Sequence, residues 1–185
     1  YQGTELWDFS LVDPDNRRPV DYARRAEMLR GVQEATASGA DLRDFARRLV
    51  ESKEDGRIKL YVTYRALHCL RDRRGLFSAG EYHALATAGA KAMHVFAFAR
   101  RAGERQAIVA VPRLYAQIAP EMDLLPLGSE VWQDTRVTLT DVEPTLRWRN
   151  VFTGEIVLGS PGAEGHSLAA SELFRHFPLA LLLPE

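Results

Sequence analysis

The apolar pattern changes period near residue 81, and this restricts the fold more than any other feature of the sequence. Before that point hydrophobic residues recur at helical spacing; after it they form short β-like runs separated by turn signals. Leu42, Phe45, Ala46 and Leu49 repeat as i, i+3, i+4, i+7. Tyr22, Ala26 and Leu29 define an earlier helix behind Pro19 and Asp21, and Asp41 is placed to cap the next one. After a break at KEDG, a longer helix is expected from Arg57 to about Arg73, with Leu60, Tyr64, Leu67 and Leu70 on one side. HVFAFARRAGERQAIVAVPRL then reads as a hairpin turning around Ala102–Gly103–Glu104. TRVTLT alternates strictly, and LRWRNVFTGEIVLG supplies two more runs about a turn at Thr153–Gly154. The tail SELFRHFPLALLL reads as a helical turn followed by an apolar strand after Pro178. Helices first and strands afterwards specify an α+β chain with an antiparallel sheet or sandwich.

With 185 residues the chain is too short for a complete eight-fold α/β barrel, which takes about 250. It starts at Tyr1, and its first methionine, Met28, falls inside a helical stretch, so it reads as a piece of a longer protein. Twenty-four basic and 25 acidic side chains leave a net charge of -1, which argues against nucleic acid and against anionic membranes as partners. Arginine doublets are scattered rather than gathered into a groove. No apolar run reaches membrane-spanning length, and the first ten residues lack a signal peptide's layout. Cys69 is the only cysteine and sits at helical spacing, as a buried hydrophobe in a reducing, cytoplasmic setting would. His68, His83, His94, His166 and His176 form no HExxH pair, so no metal site is expected. Nucleotide-binding and nucleophile-elbow motifs are also missing.

Residues 1–21 are chemically dense. Glu5, Asp8, Asp13, Asp15 and Asp21 lie among Tyr1, Trp7, Phe9, Arg17 and Arg18. Aromatic faces that cover sugar rings, with carboxylates and guanidinium forks for the hydroxyls, make a carbohydrate site. The same residues also make Asx turns stapled by Arg–Asp pairs, and composition leaves both readings open. Trp132, Trp148 and the β-region tyrosines read as packing residues, with a glycan platform as the alternative.

The string YQGTELWDFSLVDPDNRRPVDY resembles the maltooligosyl trehalose synthases of the α-amylase superfamily. The resemblance continues through DGRIKLYVTYRALHCLRDRRGLFSAGEY, VFAFARR, VPRL, WQDT and ELFRHFPLALLL, so it spans essentially the whole chain. It implies a helical segment completing the end of a (β/α)8 barrel over residues 1–80, followed by an antiparallel β-sandwich C-terminal domain over 81–185. Tyr1–Glu5 would close the eighth barrel strand, and Leu6–Tyr22 would be the loop that lines the cleft. The family's catalytic nucleophile, acid/base and stabilising carboxylates lie on earlier strands, so the resemblance assigns no catalytic residue to this chain. It implies substrate contacts from Asp15, Arg17 and Arg18, and from Glu5 and Trp7, with Arg17 and Arg18 either touching sugar or bracing Asp13 and Asp15. The implied partners are a maltooligosaccharide and the preceding barrel, with no cofactor and no metal. A non-catalytic glycan-binding or structural β-module, or part of an α-glucan hydrolase of the same superfamily, are the competing readings.

Overall fold

The structure, a computed structural model, describes residues 2–37, 39–119, 124–139, 147–162 and 165–185. After a 3-10 turn at Asp15–Arg17 come the helices α1 (Tyr22–Ala35), α2 (Leu42–Glu51), α3 (Arg57–Asp72) and α4 (Arg74–Ala79). The strands that follow are β1 (Glu81–Ala84), β2 (Thr87–Ala88), β3 (Val95–Ala102) and β4 (Arg105–Pro112). Helix α5 (Gly128–Trp132) precedes β5 (Arg136–Leu139), β6 (Arg147–Asn150), β7 (Ile156–Leu158), β8 (Ser160–Gly162) and β9 (Gly165–Ala169). Helix α6 (Ala170–Leu173) and β10 (Ala180–Pro184) complete the order.

The helix starts follow from local chemistry. Asp21 accepts from the Arg24 amide at 2.9 Å and Asp41 from the Asp44 amide at 3.1 Å, each satisfying an orphan donor of a first turn. The hairpin also forms as read, with eight pairs between β3 and β4 from Val95↔Pro112 to Ala102↔Arg105.

Every strand pairing among the described residues is antiparallel. Six strands order as β1-β3-β4-β10-β6-β7 and four as β2-β5-β9-β8. Ala97, Ala99, Ile108, Trp148 and Leu182 of the larger sheet share a core with Val137, Leu139 and Leu168 of the smaller one. Trp132 and Phe174 join that core, with ring centroids 4.9 Å apart.

A second core lies on the other face of the larger sheet. There Ala107, Val151, Phe152 and Leu181 pack against Leu49, Ile58, Tyr61 and Leu76 of the helices. Strand β4 is therefore covered on both sides, which is why QAIVAV runs nearly without polar interruption. Tyr61 carries the contact: it is fully buried, edge-on to Phe45 at 5.3 Å and to Phe177 at 6.0 Å, and its hydroxyl donates to the Phe152 carbonyl at 2.6 Å. Arg65, one turn further along α3, donates to the Val151 carbonyl through Nε at 3.1 Å and Nη2 at 2.7 Å.

Several expectations need correction. Helix α3 buries Ile58, Leu60, Tyr61 and Cys69, while Leu67 and Leu70 of the expected stripe are 58% and 47% exposed. Apolar residues surround this helix, and the sheet selects the side bearing Tyr61. Helix α1 buries Val32 fully, whereas Tyr22 is exposed and donates its hydroxyl to Gln2 at 2.7 Å. Residues 2–10 form no strand, since no neighbouring strand of this chain offers them a ladder. Tyr1 and Thr140 lie outside the described residues. Trp132 and Trp148 are both completely buried, in keeping with the packing reading, and present no sugar platform. Cys69 is a free, buried thiol whose pKa is pushed up by burial. No helix among the described residues is long and apolar enough to cross a membrane.

Candidate functional site

The segment from Gln2 to Asp21 runs over the helices without strand structure, held by the buried Leu6 side chain and by polar contacts rather than ladders. Its expected site residues separate into two groups.

The first group surrounds the 3-10 turn. Arg17 grips Asp13 with two donors, Nη2 reaching Oδ2 at 2.9 Å and Nε reaching Oδ1. Arg18 pairs with Asp15, three residues back. Asp15 also accepts from the Leu11 amide at 3.1 Å, and its own amide donates to the Val12 carbonyl at 3.0 Å. The Asp13–Pro14 peptide is cis. Loop bracing is thus observed for both arginines, yet both side chains remain 74% exposed. A guanidinium carries five N–H donors, and pairing with a carboxylate uses only one or two of them. The remaining donors face solvent and can take hydroxyl oxygens. Bracing the loop and contacting sugar are therefore compatible roles.

The second group lies against the helices. Glu5 receives the Arg25 Nε at 3.3 Å, while the same guanidinium donates to the carbonyls of Gly3 at 2.5 Å and Asp21 at 3.0 Å. The Trp7 indole donates to the Lys53 carbonyl at 2.6 Å. Lys59 donates to the Leu6 carbonyl at 3.2 Å, with its ammonium 5.7 Å from the Trp7 ring centre. Gly56, at φ 83°, passes so close beneath this point that a Cβ would stand 3.0 Å from the Trp7 nitrogen. Asp8 lies below the usual carboxylate range because Ser10 donates to it from both its hydroxyl and its amide, helped by the charges of Lys59 and Arg25. That direction is the opposite of what a general acid needs at neutral pH.

Trp7 alone of the expected site residues lines a cavity of about 700 Å³ between the helices and the strands. Phe9, Ile58, Lys59, Val62 and Tyr115 contribute to its largely apolar wall. No cluster of three or more His, Cys, Asp or Glu side chains able to hold a metal occurs among the described residues. Arg25 and Lys59 are the site-building residues that local sequence does not reveal: both act on residues 20 or more positions away.

The comparisons with known proteins bear on this geometry. No family model matches the chain. The maltooligosyl trehalose synthase designated in two strains of Mycobacterium tuberculosis, CDC 1551 / Oshkosh and H37Rv, is 34% identical over 183 residues, 99% of this chain. The solved maltooligosyltrehalose synthase of Arthrobacter ramosus superposes over 100% of the chain with a TM-score of 0.68 at 36% identity. A point mutant of that enzyme gives 0.69 at 35%. The chain matches the C-terminal portion of maltooligosyl trehalose synthases. It spans 18% of the length of the mycobacterial relatives and 20% of the Arthrobacter enzyme. The match covers 99% of the chain in sequence and 100% in structure, so it includes the helices, both sheets and the segment with Asp15, Arg17 and Arg18.

Proposed function

We propose that this chain is the C-terminal part of a cytoplasmic maltooligosyl trehalose synthase, an intramolecular transferase that converts the reducing-end α-1,4 linkage of a maltooligosaccharide into an α,α-1,1 linkage. The match over the entire chain, in sequence and in structure, is the observation that carries this reading. In it, residues 1–80 complete the end of a catalytic barrel, residues 81–185 form the C-terminal β-domain, and the loop through Asp15, Arg17 and Arg18 forms one wall of the glucan cleft. Glu5 and Trp7 belong to the same wall at its junction with the helices. The chemistry needs two carboxyl groups about 5–5.5 Å apart, one attacking the anomeric carbon and one exchanging a proton with the glycosidic oxygen. We place both in the preceding part of the parent protein. Here Asp13 and Asp15 are engaged by arginines, Glu5 by Arg25, and Asp8 by Ser10.

In the proposed reaction the freed glucose must stay bound while its anomeric hydroxyl attacks the glycosyl-enzyme. If water attacks instead, the products are glucose and a shortened glucan. A wall of exposed guanidinium donors serves that retention. The test is to incubate the full-length parent with maltohexaose. Reducing ends should disappear while the chain length, read by mass spectrometry, is unchanged. Release of glucose or maltose as the main product would favour a hydrolase of the same superfamily, and unchanged maltohexaose would favour the non-catalytic module.

A further inference from the structure

We infer that Lys59 is a positioning residue for the glucan-cleft wall, an assignment that rests on the function proposed above. The wall has no strand to hold it between Gln2 and Trp7; the buried Leu6 side chain seats it in the helix-side core, and a few groups grip its backbone. Leu6 and Trp7 are gripped from one short stretch of sequence. The Lys53 carbonyl takes the Trp7 indole at 2.6 Å, and Lys59 reaches over from the first turns of α3 to the Leu6 carbonyl at 3.2 Å. The Lys59 ammonium stands over the Trp7 ring and close enough to Asp8 to lower its pKa. One half-buried cation therefore touches a main-chain carbonyl, an aromatic face and a carboxylate's field, all in consecutive residues of the proposed wall.

Its base is equally well fixed. Lys59 sits two residues before Tyr61 and six before Arg65, whose side chains hold the Val151 and Phe152 carbonyls in the turn between β6 and β7. Helix α3 is thus pinned to the β-domain on one side and holds the wall on the other. The β-domain contributes to the reaction as the anchor of this strut, at a distance from the reacting atoms. A displacement of the wall by about 1 Å can cost roughly 100-fold in a reaction that depends on orientation. Here it would loosen the freed glucose and admit water.

The experiment uses the full-length parent with maltohexaose and measures KM, kcat and the ratio of free glucose to trehalose-terminated product. Lys59→Met keeps the stem and removes the charge. It should raise the glucose fraction at least threefold and raise KM, with a smaller change in kcat. Lys59→Arg, which can reach the carbonyl and lie on the indole, should restore the ratio to within twofold of the parent. Should Lys59→Met fold poorly, Lys59→Gln keeps a neutral donor and is expected to fall between the two. An unchanged product ratio and KM in a folded Lys59→Met or Lys59→Gln protein overturns the assignment, even if its melting temperature falls. A parent that makes no trehalose-terminated product at all counts against the proposed function instead.

Discussion

Replacing Tyr61 by alanine should lower stability by about 4 kcal/mol, the scale of deleting a fully buried aromatic side chain. In a domain of this size that corresponds to a fall in melting temperature of roughly 8–16 °C. Tyr61 meets Phe45, Phe152 and Phe177 with its ring and closes the core between the helices and the larger sheet. Tyr61→Phe keeps the packing and leaves the Phe152 carbonyl without its donor, a loss of about 1 kcal/mol. Chemical denaturation of the three proteins measures both steps. An alanine variant within about 1 kcal/mol of the parent chain would mean that the helices do not share a core with the sheet.

The same residue gives a pH signature. Burial pushes the Tyr61 phenol from 10.0 up to about 12. Its folded value is raised, so the stability it contributes is complete below the unfolded pKa near 10 and is lost as pH rises toward 12. The loss amounts to about 2–3 kcal/mol. Phenolate absorbance at 295 nm should therefore show one of the six tyrosines ionising about two pH units later than an ordinary phenol, near pH 12. Tyr61→Phe should remove that step.

The second large effect concerns the reaction. Arg17→Ala and Arg18→Ala, combined in the full-length parent, should reduce kcat/KM for maltohexaose about 30-fold, equivalent to about 2 kcal/mol for lost charged hydrogen bonds. Most of that loss should appear in KM, accompanied by more free glucose. Freed Asp13 and Asp15 would also loosen the turn, so the control is Asp13→Asn, which weakens the Arg17 pair without removing the guanidinium. If the arginines contact sugar, the control should retain more than half of the parent's kcat/KM. Equal losses in the control and the double variant would leave them with a bracing role alone.

How much of this was legible in the sequence depended on the range of the interactions. Caps at Asp21 and Asp41, and the hairpin around Gly103, are set by residues within a few positions, and each formed where the pattern places it. Arg17 with Asp13 and Arg18 with Asp15 are likewise i,i+4 and i,i+3 pairs. The buried side of α3 was not legible, because Leu60, Tyr61, Val62, Tyr64, Leu67 and Leu70 distribute apolar surface around the helix and only the sheet chooses among them. Strands β2 and β8, of two and three residues, are too short for a period to show. Strand β9 and helix α5 have no counterpart in the sequence pattern, the latter being anchored by the Trp132 indole donating to the Pro126 carbonyl at 2.8 Å. The role of Lys59 is not legible locally because its acceptor lies 53 residues away. The family was legible because whole strings, rather than single residues, resemble the synthases.

In the proposed function, residues 2–21 form a wall of the glucan cleft. Hydrogen exchange on the full-length parent, with and without saturating maltohexaose, tests it most directly. Amides of this segment should exchange more slowly with sugar bound, with the largest change between Leu11 and Arg18, while the buried strands β4 and β10 remain as protected as before. Ligand-induced protection elsewhere in the parent, with none in residues 2–21, would contradict it.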